Sequence, residues 1–232
     1  MTTVLVTGAS RGLGLELVRQ YAAEGWKVLA CARAPGKAAD LQRLSRESGG
    51  RVAVHRLDVT DVEAIGALAR ELHGQPVDVL INNAGTMGGR GSGFGSSDYA
   101  AWDDIFHLNA FAPMRMAEAF APHVAGSDQK KLVSVSTIMA SIARNETGGF
   151  YAYRASKAAL NALMVSLAID LGRRHGILAA VVHPGWVRTD MGGPRADIDA
   201  PTSVAGMRRI IAGLTKERAG RFWSYDGTEL PW

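Results

Sequence analysis

The sequence has one cysteine, Cys31, in 232 residues. A lone thiol excludes an internal disulfide framework and a multi-cysteine zinc site, and it points to a reducing compartment. Nowhere does the sequence approach the roughly 18 unbroken apolar residues of a membrane span. Met1-Thr2-Thr3 leads straight into Val4-Leu5-Val6, with no basic segment before a long apolar one. These features predict a cytoplasmic protein with no signal peptide and no membrane partner. Charge of one sign is also scarce. Lys plus Arg is 26 against 22 Asp plus Glu, a net +4, and the basic residues are scattered. That balance argues against nucleic acid as a partner. The histidines lack a metal-ligand spacing such as HExxH, so no metal is expected. There is no Gly-x-Ser-x-Gly elbow, so a hydrolase has no support. Repeats, low-complexity tails and linkers are missing too. One domain over residues 1–232 is the expectation, long enough to bury a core unaided.

What is present is alternation. Short apolar runs occur at Val4–Val6, Lys27–Ala32, Val52–Leu57, Val77–Ile81, Lys131–Val135, Leu178–His183 and Arg221–Tyr225. Most are β-branched or Leu-rich with little polar alternation, as for strands buried on both faces. Between them, Gly12–Glu24, Val62–Leu72, Trp102–Val124 and Ala152–Arg174 carry helical stripes. The pattern predicts an α/β fold: a doubly wound parallel sheet of about seven strands with helices on both faces. Gly88–Gly93 reads as a loop inside the domain.

The first strand runs into Thr7-Gly8-Ala9-Ser10-Arg11-Gly12-Leu13-Gly14 and then a helix. Glycines permit a tight turn and close approach of backbone to ligand. A helix N-terminus offers free N–H groups to a pyrophosphate. The spacing differs from GxGxxG, but the strand-turn-helix context supports a dinucleotide site. Such a site usually has an acid ending the second strand, to bind the ribose 2′-OH. Here that strand ends Cys31-Ala32-Arg33. Arg33, with Arg11 from the loop, suits a 2′-phosphate and favours NADP(H).

Further along, Tyr153 has Lys157 at i+4, on one helix face. Tyr151 has Ala155 there and no such partner. A neighbouring ammonium would lower a phenol pKa that is ordinarily about 10. Pro113 lacks an N–H, so the carbonyl of Asn109 loses its helical partner, and a kink is expected. A freed carbonyl in a cleft is a water anchor.

Taken in order, Thr-Gly-x-x-x-Gly-x-Gly, Asn82-Asn83-Ala84-Gly85, Tyr153-x-x-x-Lys157 and Pro184-Gly185 resemble the motifs of the short-chain dehydrogenase/reductases. The resemblance covers essentially the whole chain. Stretches Tyr151–Asn161, Pro184–Met191 and Gly220–Trp232 look closest to the C-factor-like (sniffer-like) carbonyl reductases. It implies a Rossmann-type fold with Gly8, Ser10, Arg11, Gly12, Leu13 and Gly14 on the cofactor phosphates. Asp58 and Val59 would border the adenine, and Asn83, Ala84 and Gly85 the adenosine side. Pro184, Gly185, Val187 and Thr189 would close over the nicotinamide, and residues 186–200 would form a substrate lid. Lys157 would bond the nicotinamide ribose, beside Tyr153, and Asn109 would support a relay water.

The resemblance also implies a serine after the fifth strand that polarises the substrate carbonyl. Alignment on the strand end places Thr137 there, with Ser136 as the alternative. One residue of shift turns the side chain to the opposite face, so one of the two is expected to face the cleft. From Thr137 to Tyr153 is 153 − 137 = 16 positions, about three more than the family's usual spacing. Met87, Met139, Phe150, Trp186 and Met191 are candidate walls for an apolar or aromatic ketone or aldehyde. The leading expectation is an NADPH-dependent carbonyl reductase acting as a homodimer or homotetramer. Its rival is a cofactor-binding signalling protein with incidental turnover. A sugar-nucleotide epimerase would need a substrate domain for which 232 residues leave no room.

Overall fold

The computed structural model describes residues 1–89 and 93–232, so the centre of the glycine-rich loop 88–93 lies outside the described residues. Seven strands form one sheet: β1 (Thr3–Thr7), β2 (Lys27–Ala32), β3 (Val52–Arg56), β4 (Val79–Asn82), β5 (Lys131–Val135), β6 (Leu178–His183) and β7 (Phe222–Ser224). Their order is β3-β2-β1-β4-β5-β6-β7, and every neighbouring pair is parallel. The expected runs coincide with these strands within two residues at each end.

Parallel neighbours need crossovers, and helices supply them. Among the described residues these are α1 (Gly12–Ala23), α2 (Ala39–Glu47), α3 (Val62–Glu71), α4 (Tyr99–Phe106), α5 (Ala112–Ala125), α6 (Tyr151–His175) and α7 (Ala200–Ala212). Side chains alternate across each strand, so the sheet builds two cores. Val4, Val6, Val28 and Val182 pack with Leu17 and Val18 of α1 and Val204 and Ile211 of α7. Leu5, Leu29, Leu80 and Leu132 pack with Ile65 of α3, Met116 and Phe120 of α5, and Leu160 and Met164 of α6. Phe120 is fully buried; a side chain of that size contributes about 1.5–3 kcal/mol on burial.

The helix expected over Trp102–Val124 is interrupted. Between α4 and α5 the chain takes one π-helical turn, His107–Phe111, in which the Ala112 N–H donates to the His107 carbonyl. Pro113 removes one α-helical bond, and the widened turn absorbs the mismatch. α6 is long and apolar enough to cross a membrane by length and mean hydropathy alone. It packs on the sheet instead, with Leu160, Met164 and Leu167 buried in the second core.

Chain order reverses between β1 and β4, so the loops after these two strands diverge to opposite sides. The crevice at their carboxyl ends is where a doubly wound sheet binds ligands.

Candidate active site

An open cleft of about 300 Å³ lies at that crevice. It is lined by the β1–α1 loop, the ends of β2 and β4, the start of α6 and the segment after β6. Gly8, Ser10, Arg11, Gly12, Leu13, Gly14, Arg33, Asp58, Val59, Asn83, Ala84, Gly85, Tyr153, Lys157, Pro184 and Thr189 all line it. Sixteen positions named from six separate stretches of sequence thus converge on one cavity.

The β1–α1 loop owes its shape to two glycines. Gly8 has φ +67°, and a Cβ on it would sit 2.9 Å from the Ala84 Cα. A Cβ on Gly14 would strike the Gly8 carbonyl and come within 2.6 Å of Asn83 Nδ2. The loop is therefore pressed against the β4 loop, leaving its outer face to a ligand. Thr7 locks the two together. Its hydroxyl accepts the Asn83 and Ala84 N–H groups at 3.0 and 3.1 Å, and Asn83 Nδ2 donates back to the Thr7 carbonyl at 2.9 Å. The N-terminus of α1 has no side-chain cap, so its N–H groups remain directed toward the cleft loop.

At the rim, Arg11 forms a 2.8 Å ion pair with Asp190, both side chains exposed. Arg33 lies near Asp58. Partial burial opposes ionisation of Asp58, but bonds from the Thr60 N–H and hydroxyl and the charge of Arg33 outweigh it and depress its pKa.

Tyr153 and Lys157 sit in the first turns of α6, both buried. Burial pushes the Tyr153 pKa above 10, and the Thr137 hydroxyl, within hydrogen-bonding reach, pulls it partly back. The expectation that Lys157 lowers this pKa is corrected. The Lys157 ammonium donates instead to the Val135 carbonyl at 2.8 Å, and its own pKa falls to about 8 by burial. Near neutral pH the phenol is therefore a protonated acid beside a mostly charged ammonium.

Asn109 is fully buried and reaches the site through its side chain. Its Oδ1 accepts the Thr86 N–H at 2.9 Å; its Nδ2 donates to the Thr86 carbonyl at 2.8 Å and to Ser156 Oγ at 3.0 Å. It ties the β4 loop to α6. A Cβ on Gly85 would lie 3.1 Å from Asn109 Oδ1 and 3.3 Å from Lys157 Nζ, so glycine lets both approach the backbone.

Of Ser136 and Thr137 one faces the cleft, as strand alternation predicts, but it is the alternative, Ser136, and not Thr137. Ser136 lines the cleft, and its buried hydroxyl has no partner among the described residues. Thr137, off the cleft wall, lies by Tyr153. Gly185 and Val187 do not line the cleft. Gly185 (φ +84°) is packed on Ile198 and Tyr225, and Val187 is buried and bridges to Ile198. They shape the segment that carries Thr189. Of the five candidate walls only Met191 borders the cavity. Trp186 is turned aside by a 2.9 Å bond to the Gly192 carbonyl. Leu57, Thr86, Leu108, Val135 and Asp190 line it without having been singled out.

The family model for short chain dehydrogenases matches residues 2–199. The chain belongs to the short-chain dehydrogenase family. The C-signal of Myxococcus xanthus is 48% identical over 157 residues, 68% of this chain and 93% of that protein. The carbonyl reductase Sniffer of D. melanogaster superposes with a TM-score of 0.92 at 32% identity, covering all of both chains. The NADPH-bound carbonyl reductase from chicken fatty liver does so with a TM-score of 0.91 at 32% identity, over 100% and 99% of the chains. This short-chain dehydrogenase thus shares its fold, end to end, with carbonyl reductases.

Proposed function

We propose that the protein is an NADPH-dependent carbonyl reductase, converting a ketone or aldehyde to an alcohol. The observation that carries this reading is that Tyr153 and Lys157 line the same cleft as a glycine loop at a helix N-terminus, with the Thr137 hydroxyl beside Tyr153. The two glycines that a Cβ would block, and two arginines at the rim, fit a dinucleotide with a 2′-phosphate. NADP(H) is bound in the Burkholderia and Pseudomonas relatives of known structure as well as in the chicken enzyme.

The α1 N-terminus and the β1–α1 loop would hold the pyrophosphate. Arg11 and Arg33 would hold the 2′-phosphate, and Lys157 the nicotinamide ribose. When bound, the nicotinamide supplies hydride to the carbonyl carbon. Thr137 donates a hydrogen bond to the carbonyl oxygen. Its oxygen already accepts the Met139 N–H at 3.2 Å, so the hydroxyl acts toward the site through its proton. Tyr153 delivers its phenol proton to that oxygen, completing the alcohol. The raised pKa keeps the proton on Tyr153 until it is needed. The phenolate that remains would regain its proton from a water that Asn109 would help to hold.

Residues 186–200 are the proposed lid of a single domain, with Met191 as its contact to substrate. The exposed apolar residues Phe111 and Ile169, on the π turn and α6, support a homo-oligomer joined through these long helices. The solitary buried thiol supports a cytoplasmic setting. Turnover of Tyr153→Phe tests the mechanism. The loss of kcat should be about 10²–10⁴-fold, with NADPH affinity kept. Unchanged kcat would refute it.

The likeness to a C-signal favours one rival, a signalling protein with incidental turnover. Single-turnover oxidation of bound NADPH against a carbonyl panel separates the two. Binding without oxidation, unaltered in Tyr153→Phe, supports the rival.

A further inference from the structure

Between Thr137 and Tyr153 the chain makes a long excursion. After Thr137 come a 3₁₀ turn, Ile138–Ala140, and then residues 144–150, almost all exposed and without regular structure. A loop of this kind has little of its own to fix its first residue. Two anchors do so. From α6, the Arg154 guanidinium donates to the Met139 carbonyl at 3.1 Å and to Thr147 Oγ1 at 2.9 Å. The other comes from the far end of the sequence.

There, the Trp232 oxygen accepts three hydrogen bonds from consecutive loop residues. They are from Ser141 Oγ at 3.0 Å, the Ile142 N–H at 2.6 Å and the Ala143 N–H at 3.1 Å. Ser141 Oγ also reaches the Pro231 carbonyl at 2.6 Å. The Trp232 ring stacks on Phe222 of β7, with centroids 5.5 Å apart and planes 16° apart. Phe222 is buried in the second core, and the Leu230 N–H donates to its carbonyl at 2.7 Å. The tail is thus fastened to the sheet on one side and to the loop on the other. Ser141 closes the 3₁₀ turn that Thr137 opens: the Ala140 N–H bonds the Thr137 carbonyl and the Ser141 N–H the Ile138 carbonyl. Ser141 is itself buried.

We propose that Pro231–Trp232 is a positioning element for the catalytic hydroxyl, clamping residues 141–143 to β7 so that Thr137 meets Tyr153. This rests on the reading of Thr137 given above. Thr137 and the clamp are joined through one short turn, so release at Ser141 lets the turn rotate and carries the hydroxyl away. Displacement of about 1 Å in a reacting group can lower a rate 100-fold. The cofactor loop lies on the other side of the cleft and would be unaffected.

The test uses the full-length enzyme, a Pro231–Trp232 deletion, Trp232→Phe and Ser141→Ala, with Thr137→Ala in parallel. Deletion should lower kcat about 10- to 100-fold, on the positioning scale just given, with KM for NADPH within about twofold. It should also speed amide hydrogen exchange across residues 138–149. Trp232→Phe keeps a stacking ring and all main-chain acceptors, and should restore both. Should the deletion fail to fold, Ser141→Ala carries the test: faster exchange in the same peptide and a lower kcat are expected. A deletion, or a Ser141→Ala variant, with wild-type kcat and exchange overturns the proposal. Full turnover in Thr137→Ala refutes the role of Thr137 itself. Turnover lost in Thr137→Ala but kept in the deletion refutes the positioning role alone.

Discussion

Lys157→Met should make the protein more stable and inactive. Lys157 is buried, and its pKa falls from 10.5 to about 8. At about 1.4 kcal/mol per pH unit, keeping it charged costs the folded state about 3 kcal/mol at pH 7. Methionine has similar length and no charge. The substitution relieves that cost and loses the bond to the Val135 carbonyl, which contributes about 1 kcal/mol. The net gain is about 2 kcal/mol, or roughly 4–8 °C in Tm for a chain of this size. The sign depends on pH. Between pH 8 and 10.5 the unfolded chain binds more protons at this group than the folded one. Wild-type stability from Lys157 is therefore greatest above 10.5 and is lost as pH falls through 8. The advantage of Lys157→Met should shrink across that window and reverse by about 1 kcal/mol above it, where only the lost bond remains. Buried Tyr21, Cys31 and Tyr153 also titrate abnormally, but they are common to both proteins and cancel in the difference. Thermal and urea unfolding at pH 7, 8, 9 and 10, without cofactor, give the measurement. A variant less stable at pH 7, or a difference that ignores pH, would refute the charge-burial reasoning. Turnover assays should show the activity lost, the exchange of stability for function common at active sites.

The other predictions concern the rest of the cleft. Arg33→Ala should raise KM for NADPH at least 10-fold, since a hydrogen bond to a charged group contributes about 1.5–3 kcal/mol. KM for NADH should stay within about twofold on the same reasoning, because NADH lacks the 2′-phosphate; an equal loss with both cofactors contradicts the assignment. Arg11→Ala should act alike. Its exposed pair with Asp190 is worth about 1 kcal/mol at most, so it can be given up for a phosphate. Gly14→Ala should destabilise by about 3 kcal/mol, from overpacking and the broken Asn83 bonds. Differential scanning calorimetry that finds Tm unchanged counts against the close approach of Gly14 to Gly8. Ser136→Ala should leave kcat within about threefold, while Thr137→Ala lowers it about 100-fold, the scale of one lost oxyanion donor. The reverse order would exchange their roles.

The fold was legible because buried parallel strands advertise themselves. Val28-Leu29-Ala30 or Val79-Leu80-Ile81 has no polar face to confuse with a helix. The phosphate loop was legible for a different reason. Gly8 and Gly14 are where backbone meets backbone, and no other residue fits, so geometry leaves its mark in the sequence. α2 was not singled out, since it buries only Leu41 and lacks a wide apolar stripe. The π turn was half legible. Pro113 announced a break near Asn109, but a missing N–H does not say whether the helix kinks, ends or widens.

The two ends of the cleft differ in kind. The proposed cofactor residues come from short local motifs, each closing on itself within a few residues. The segments at the other end are held by pairs farther apart in sequence: Val187 with Ile198, Gly185 with Tyr225, Ser141 with Trp232. Nothing local in a Ser141 or a Trp232 marks it as half of such a pair. The same distinction explains the misjudged walls. Met139, Phe150 and Trp186 are apolar and adjacent to motifs, but adjacency does not set direction. Trp186 is held away by a bond to Gly192, and Phe150 (φ +49°) turns the chain into α6. A cofactor shared by a whole family can be read from motifs. The way distant segments are fastened together cannot be read so, and the fastening of 141–143 to Pro231 and Trp232 is one such pairing.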